Sequence, residues 1–128
     1  MTSCKIFTRL LTLFFQLQAA SLFAQSVPQW IWSVKTDSPN NPHYFSKLVL
    51  LASAPKEAKI IFTCDNGSEV FINGKSVGRN PDWQKPVAAD VKKLLQVGTN
   101  RIAARAQNGG GIAGFVLKLD VTSASGKK

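Results

Sequence analysis

The sequence predicts an all-β domain, a sandwich or a barrel, with one short helical turn. Three observations carry this. Apolar and polar residues alternate with a period of two over most of the chain after residue 45. The alternating runs are short and are separated by loops rich in Pro, Asn and Gly. Only one stretch has helical spacing.

Taking the runs in order, "QWIWS" places Trp30 and Trp32 on the same side of an extended segment, where two large rings are read as core or edge packing. "KLVLLAS" is a continuous apolar run; it has no readable parity and is expected to be a strand covered on both faces. "AKIIFTC" puts Ala58, Ile60, Phe62 and Cys64 on one face. In "SEVFINGKSVGR", Val70 and Ile72 point one way and Glu69 and Phe71 the other, after which Asn73-Gly74 supplies the two positive φ angles of a type I′ hairpin turn. The preceding Asp65-Asn66-Gly67 reads as a second tight turn, in which the Asp65 carboxylate accepts nearby backbone N–H groups. "NRIAARAQN" sets Ile102, Ala104 and Ala106 against Arg101, Arg105 and Gln107, and "FVLKLDV" sets Phe115, Leu117, Leu119 and Val121 against Val116, Lys118 and Asp120. Both are half-buried strands. The helical stretch is "ADVKKLLQVG", with Asp90 as N-cap, apolar Val91, Leu94 and Leu95, and Gly98 as its stop.

The start of the chain has the layout of a secretory signal peptide: Lys5 and Arg9, the apolar "LLTLFFQLQAASLFA", then "QS". A membrane span needs about 20 apolar residues, and this run is shorter and interrupted by Gln16 and Gln18. Residues 1–24 are therefore expected to be a cleaved leader, with cleavage after Ser26 as the alternative. Residues 25–44 form an N-terminal extended segment, 45–121 the β-sandwich, and 122–128 a disordered tail. The expected location is secreted or periplasmic in a bacterium, with no membrane span left after cleavage. The remaining length suits one domain.

The 128-residue chain carries a formal charge of +9 from 16 Lys and Arg against 7 Asp and Glu; the leader holds two of the cations, Lys5 and Arg9, so +7 remains. Those cations are mostly single residues along strands. A nucleic-acid site wants a clustered patch with stacking aromatics, so nucleic acid is not an expected partner, whereas anionic surfaces and acidic polysaccharides are. Without the leader, Cys64 is the one remaining cysteine, no internal disulfide forms, and the thiol is read as a small buried hydrophobe.

Catalysis is not expected. The single histidine, His43, sits in a Pro- and Asn-rich loop. Asp65 and Glu69 are the nearest carboxylate pair, but one belongs to a turn and the other to the solvent side of a strand. Zinc ligands are lacking. No cofactor is expected; a structural calcium held by Asp65, Asn66 and backbone carbonyls is the one exception these residues admit. "GGGIAG", Gly109 to Gly114, satisfies G-x-G-x-x-G, yet a strand follows it instead of a helix to receive a pyrophosphate. It reads as a wide loop between strands.

The series "CDNGSEVFINGKSVGR", "DW" and "ADVKKLLQVGTNRIAARAQNGGGIAGFVLKLDV" closely resembles the galactose-binding-like β-sandwich domain, and in particular the non-catalytic sugar-binding domain of bacterial β-galactosidases and α-L-rhamnosidases. The resemblance spans about residues 45 to 121. It implies a jelly-roll sandwich in which Asp65, Asn73, Gly74 and Gly78 are turn positions and Trp83 and Gln107 to Gly110 belong to the ligand-side loops. The expected role is a secreted, non-catalytic carbohydrate-binding module. Its loop-edge site would combine an aromatic platform with amide and guanidinium groups: Arg79, Asn80, Trp83, Gln107 and Asn108. The expected partners are a carbohydrate or envelope glycan and a glycoside hydrolase or other surface protein. The alternative is a structural or protein-docking sandwich of the cell envelope with no sugar ligand, steered by the cations Arg101, Arg105 and Lys118.

Overall fold

The computed structural model describes residues 27–33 and 41–124; the expected leader and most of the expected tail lie outside them. Among the described residues seven strands form two antiparallel sheets. They are β1 (His43–Leu51), β2 (Pro55–Asp65), β3 (Gly67–Ile72), β4 (Lys75–Asn80), β5 (Val87–Asp90), β6 (Gly98–Gln107) and β7 (Gly114–Ser123). One sheet has the order β1-β6-β3-β4 and the other β5-β2-β7. The N-terminal segment joins the second sheet at one point, where Ile31 and Phe115 exchange both backbone hydrogen bonds at 2.9 Å.

The alternation read from the sequence determines which side chains meet between the sheets. Ala58, Ile60, Phe62 and Cys64 from β2 face Val70 and Ile72 from β3 and Ile102, Ala104 and Ala106 from β6, and all are buried. Phe45 stacks on Phe115 at a centroid distance of 5.4 Å, closing the core where β1 approaches β7. The hairpin turn is as expected, with φ of 50° at Asn73 and 81° at Gly74, the two left-handed positions that a type I′ turn requires.

Five expectations are corrected. β1 is not covered on both faces: it is the edge of its sheet, and Leu48 and Leu50 are exposed. "VAAD" is a strand paired to β2 rather than the start of a helix, and the helical element shrinks to a 3₁₀ turn at Lys92–Leu94. The Val91 and Leu95 side chains on either side of that turn are what enter the core, so burial of two residues replaces a helical face. Gly78 lies within β4 opposite Val70, beside a bulge, and is not a turn residue. His43 opens β1 and rests against Trp32 at a ring distance of 4.7 Å, so it is not a loop residue. β7 continues through Thr122 and Ser123, which pair with Glu57 and Pro55.

Candidate functional site

One end of the sandwich is built by three connections: the turn between β2 and β3, the loop from β4 to β5, and the loop from β6 to β7. An open depression of about 520 Å³ lies among them, lined by Asn66 and Gly67 of the first, Pro81 of the second, and Gln107, Gly109 and Gly110 at the third. Its lining is mostly amide and main chain, groups that can both donate and accept.

The turn and the glycine loop are tied together from the turn side. The Asn66 backbone N–H donates to the Gln107 carbonyl at 2.8 Å, and the Asn66 side-chain Oδ1 accepts the Gly109 N–H at 2.6 Å. Asp65 does not accept the backbone groups expected of it. Its carboxylate takes a hydrogen bond from the Asn66 side-chain amide at 2.8 Å, so the backbone work in this turn belongs to Asn66. Inside the glycine loop, Asn108 Oδ1 accepts the Gly110 N–H at 3.2 Å while its Nδ2 donates to the Gly111 carbonyl at 3.4 Å. The positive φ of 80° at Gly111 lets the chain turn back beneath it.

The loop from β4 to β5 is organised by Asn80, which is 1% exposed. Its Oδ1 accepts the Cys64 N–H at 3.2 Å and lies 3.1 Å from the Thr63 hydroxyl, and its Nδ2 donates to the carbonyls of Asp82 at 3.0 Å and Lys85 at 2.8 Å. A side chain with both ends engaged and no exposed surface holds a loop and does not meet a ligand, which corrects its assignment as a binding residue. Thr63 Oγ1 also lies 2.9 Å from the Trp83 carbonyl. The backbone of Trp83 is thus fixed while its ring stays 49% exposed.

The remaining candidates divide. Gln107 lines the depression, and Asn108 sits in its glycine loop. Trp83 is on the same loop as Pro81 but does not line the depression. Arg79 lies apart from it: its side chain meets Glu69 across the strands at 3.2 Å, on the outer face of the four-stranded sheet. Glu69 also accepts a hydrogen bond from Ser76 at 2.9 Å, and this bond, with the Arg79 guanidinium, holds its carboxyl below the usual range. The sequence reading missed Asn66, Gly67 and Pro81 as lining residues. The signal was present for Asn66, since an Asn in a turn directly ahead of a strand has an amide free to reach a neighbouring loop.

Cys64 is fully buried, and loss of water around its sulfur pushes the thiol up to about 11, consistent with a core side chain. Among the described residues no group of three or more His, Cys, Asp or Glu is placed to hold a metal ion, and no helix is long and apolar enough to cross a membrane.

No protein-family model matches the chain, and no curated protein sequence does. Solved structures do. The α-L-rhamnosidase of Streptomyces avermitilis, solved with L-rhamnose, is 30% identical with a TM-score of 0.69, over 77% of this chain and 11% of that one. A family GH78 rhamnosidase from Bacillus sp. GL1 is 27% identical with a TM-score of 0.62, over 72% of this chain and 11% of that one. The Pleurotus ostreatus lectin in complex with GalNAc is 25% identical with a TM-score of 0.64, over 77% of this chain and 30% of the lectin. The chain therefore spans about a tenth of the rhamnosidases and less than a third of the lectin. Its two antiparallel sheets and these likenesses make it a β-sandwich of the galactose-binding-like type, as its sequence resembles.

Proposed function

We propose that this is a secreted, non-catalytic carbohydrate-binding module whose site is the loop-edge depression. The observation that carries the reading is the meeting of three connections, each pinned by buried or backbone hydrogen bonds, around an open, amide-lined hollow. Sugar hydroxyls need paired donors and acceptors held at fixed positions. The lining residues are already fixed by the hydrogen bonds above, and what those bonds leave over, the second N–H and lone pair of the exposed Asn66 amide and the Gly109 and Gly110 carbonyls, can meet hydroxyls with little ordering cost on binding. The half-exposed Trp83, two residues from Pro81 on the same loop, offers a flat apolar surface for sugar C–H groups. The likeness to a lectin solved with GalNAc and to part of a rhamnosidase solved with L-rhamnose supports the ligand class. A non-catalytic role fits the way the one carboxylate on the neighbouring sheet face is committed, Glu69 being tied to Arg79 and Ser76.

Glycan-array screening followed by calorimetric titration with L-rhamnose, GalNAc and galactose tests this. Weak saccharide binding that perturbs the amide signals of Asn66, Gly67, Gln107, Gly109 and Gly110 is the expected result. Each titration is run with calcium and with a chelator. Binding that survives chelation is expected of a site made of amides alone, and binding lost on chelation places a cation at Asp65 and Asn66. No binding to any saccharide on the array overturns the reading in favour of an envelope docking domain.

A further inference from the structure

We propose that the outer face of the four-stranded sheet, opposite the core and away from the loop-edge hollow, docks an acidic, extended segment of a partner protein. Residues opposite each other on paired strands project from the same face. The register sets Tyr44 against Arg105, Ser46 against Ala103, and Leu48 against Arg101. Phe71 of β3 lies on the other side of Ala103. Ile102, Ala104 and Ala106 of β6 are buried, so Arg101, Ala103 and Arg105 point outward.

Two features of this face ask for a partner. The first is apolar: Tyr44 is 72% exposed, Leu48 60% and Leu50 75%, all in one row on an edge strand. An edge strand in a protein that stays alone is usually protected by charge, proline or a covering element; the one lysine of β1, Lys47, is on the opposite parity, and the exposed apolar residues of this row, broken once by Ser46, are of the kind that marks an interaction surface. The second is charge. Three arginines stand on the face with one carboxylate, Glu69, which pairs with Arg79 at 3.2 Å and lies opposite Arg105 in the register. Among the described residues neither Arg101 nor Arg105 has an ion-pair partner.

Together these select the occupant. A second copy seated on this face would set arginine against arginine, which like-charge repulsion disfavours. An acidic polysaccharide would meet the guanidinium groups but would leave Leu48 and Leu50 without apolar contact, since sugars stack on flat rings. A protein segment satisfies both. Arg101 and Arg105 are four residues apart on one strand, about 13 Å at the usual rise. Carboxylates four residues apart on an extended segment match that spacing, and an apolar side chain midway falls over the small residues Ser46 and Ala103. Arginine and aromatic side chains around such a centre are the composition of a binding hot spot.

Fluorescence anisotropy tests the proposal with a labelled eight-residue peptide carrying glutamates at its second and sixth positions and leucine between them, titrated with the chain as produced in its host. Saturable binding that weakens with salt is expected. Leu48→Ser and Arg101→Gln are each expected to weaken it about tenfold, and Lys118→Gln on the other sheet to leave it unchanged. The same peptide with lysines for glutamates should not bind. Thermal melts confirm that the exposed substitutions leave the fold intact, and saccharide titration of the same variants should be unaffected, so failure of this proposal and failure of the sugar reading are distinguishable. Peptide binding indifferent to both substitutions overturns it. So does equal competition by polygalacturonate, or a dimer in sedimentation that Leu48→Ser dissolves.

Discussion

The side-chain amide of Asn73 donates to Oδ1 of Asn100 at 2.9 Å. The first residue sits at the exposed tip of the β3–β4 hairpin and the second at the buried start of β6. Asn73 also donates to the Leu94 carbonyl at 3.0 Å and accepts the Arg101 N–H at 2.9 Å. Asn100 in turn accepts the Gln96 N–H at 2.9 Å and donates to the carbonyls of Gln96 at 2.8 Å and Gly98 at 3.1 Å. Two asparagines thereby fasten the hairpin, the 3₁₀ turn and β6 at the end of the sandwich opposite the hollow. Asn73 serves twice, because its left-handed φ makes the turn and its amide makes the tie.

Asn100→Ala should therefore cost about 1–3 kcal/mol in denaturant unfolding, since the buried amide is lost and the part-buried backbone groups of Gln96 and Gly98 lose their partner. Asn73→Ala should cost about 1–3 kcal/mol from lost bonds and a strained φ. The double variant should be less unstable than the two costs combined, because both remove the same shared bond. Strict additivity would show that the pair does not act as a unit.

Asn80 and Trp83 should separate stability from binding. Asn80→Ala strips the partners from Thr63, Cys64 and the loop, with an expected cost of about 3 kcal/mol. Trp83→Ala removes a half-exposed ring and should cost about 1–2 kcal/mol, below the ~3–5 kcal/mol of a fully buried aromatic. Under the proposed function Trp83→Ala abolishes saccharide binding, whereas Arg101→Ala on the sheet face leaves sugar affinity unchanged. Melts and saccharide titrations of the three variants measure both effects.

Gly114 gives a prediction about close packing. A Cβ there would come within 2.7 Å of the Trp30 ring, which lies over the start of β7. Gly114→Ala should displace that ring, costing about 1–3 kcal/mol as overpacking does. It should also shift tryptophan fluorescence toward the red as Trp30 moves further into water. An unshifted spectrum would show that the ring does not seat there.

What the sequence disclosed depended on whether a pattern admitted one physical reading. "SEVFING" alternates strictly and ends in Asn-Gly, so face, turn and hairpin were all legible. "KLVLLAS" has apolar residues at both parities, and nothing local tells a doubly covered strand from an edge strand with one uncovered face. "ADVKKLL" has helical spacing at Val91, Leu94 and Leu95, but so does a strand end followed by a single turn that buries Val91 and Leu95. At the site, loop amides were legible as a group and not one by one. A loop Asn that meets a ligand and one that braces a loop from beneath differ only in which partners the fold brings to them, and Asn80 meets Thr63 on a strand 17 residues earlier.

The thiol of Cys64 should make stability fall in alkali. It is fully buried on the inner face of β2, and desolvation raises it from 9.0 to about 11. The unfolded chain loses this proton near the ordinary value and the folded chain holds it until about 11. Between those values the unfolded state binds fewer protons, so unfolding becomes more favourable as pH rises. The contribution is absent below pH 9.0 and grows toward about 11. Lysines also titrate in this range, so the comparison is with Cys64→Ala, which keeps every other group. At pH 7.5 the variant should be the less stable of the two, having lost packed sulfur contacts. Its deficit should shrink steadily above pH 9.0 as the wild-type penalty develops. Below that pH the thiol should resist iodoacetamide in the native protein and react at once in denaturant. Parallel stability curves for the two proteins across the alkaline range, or rapid native alkylation at neutral pH, would place the sulfur in contact with water.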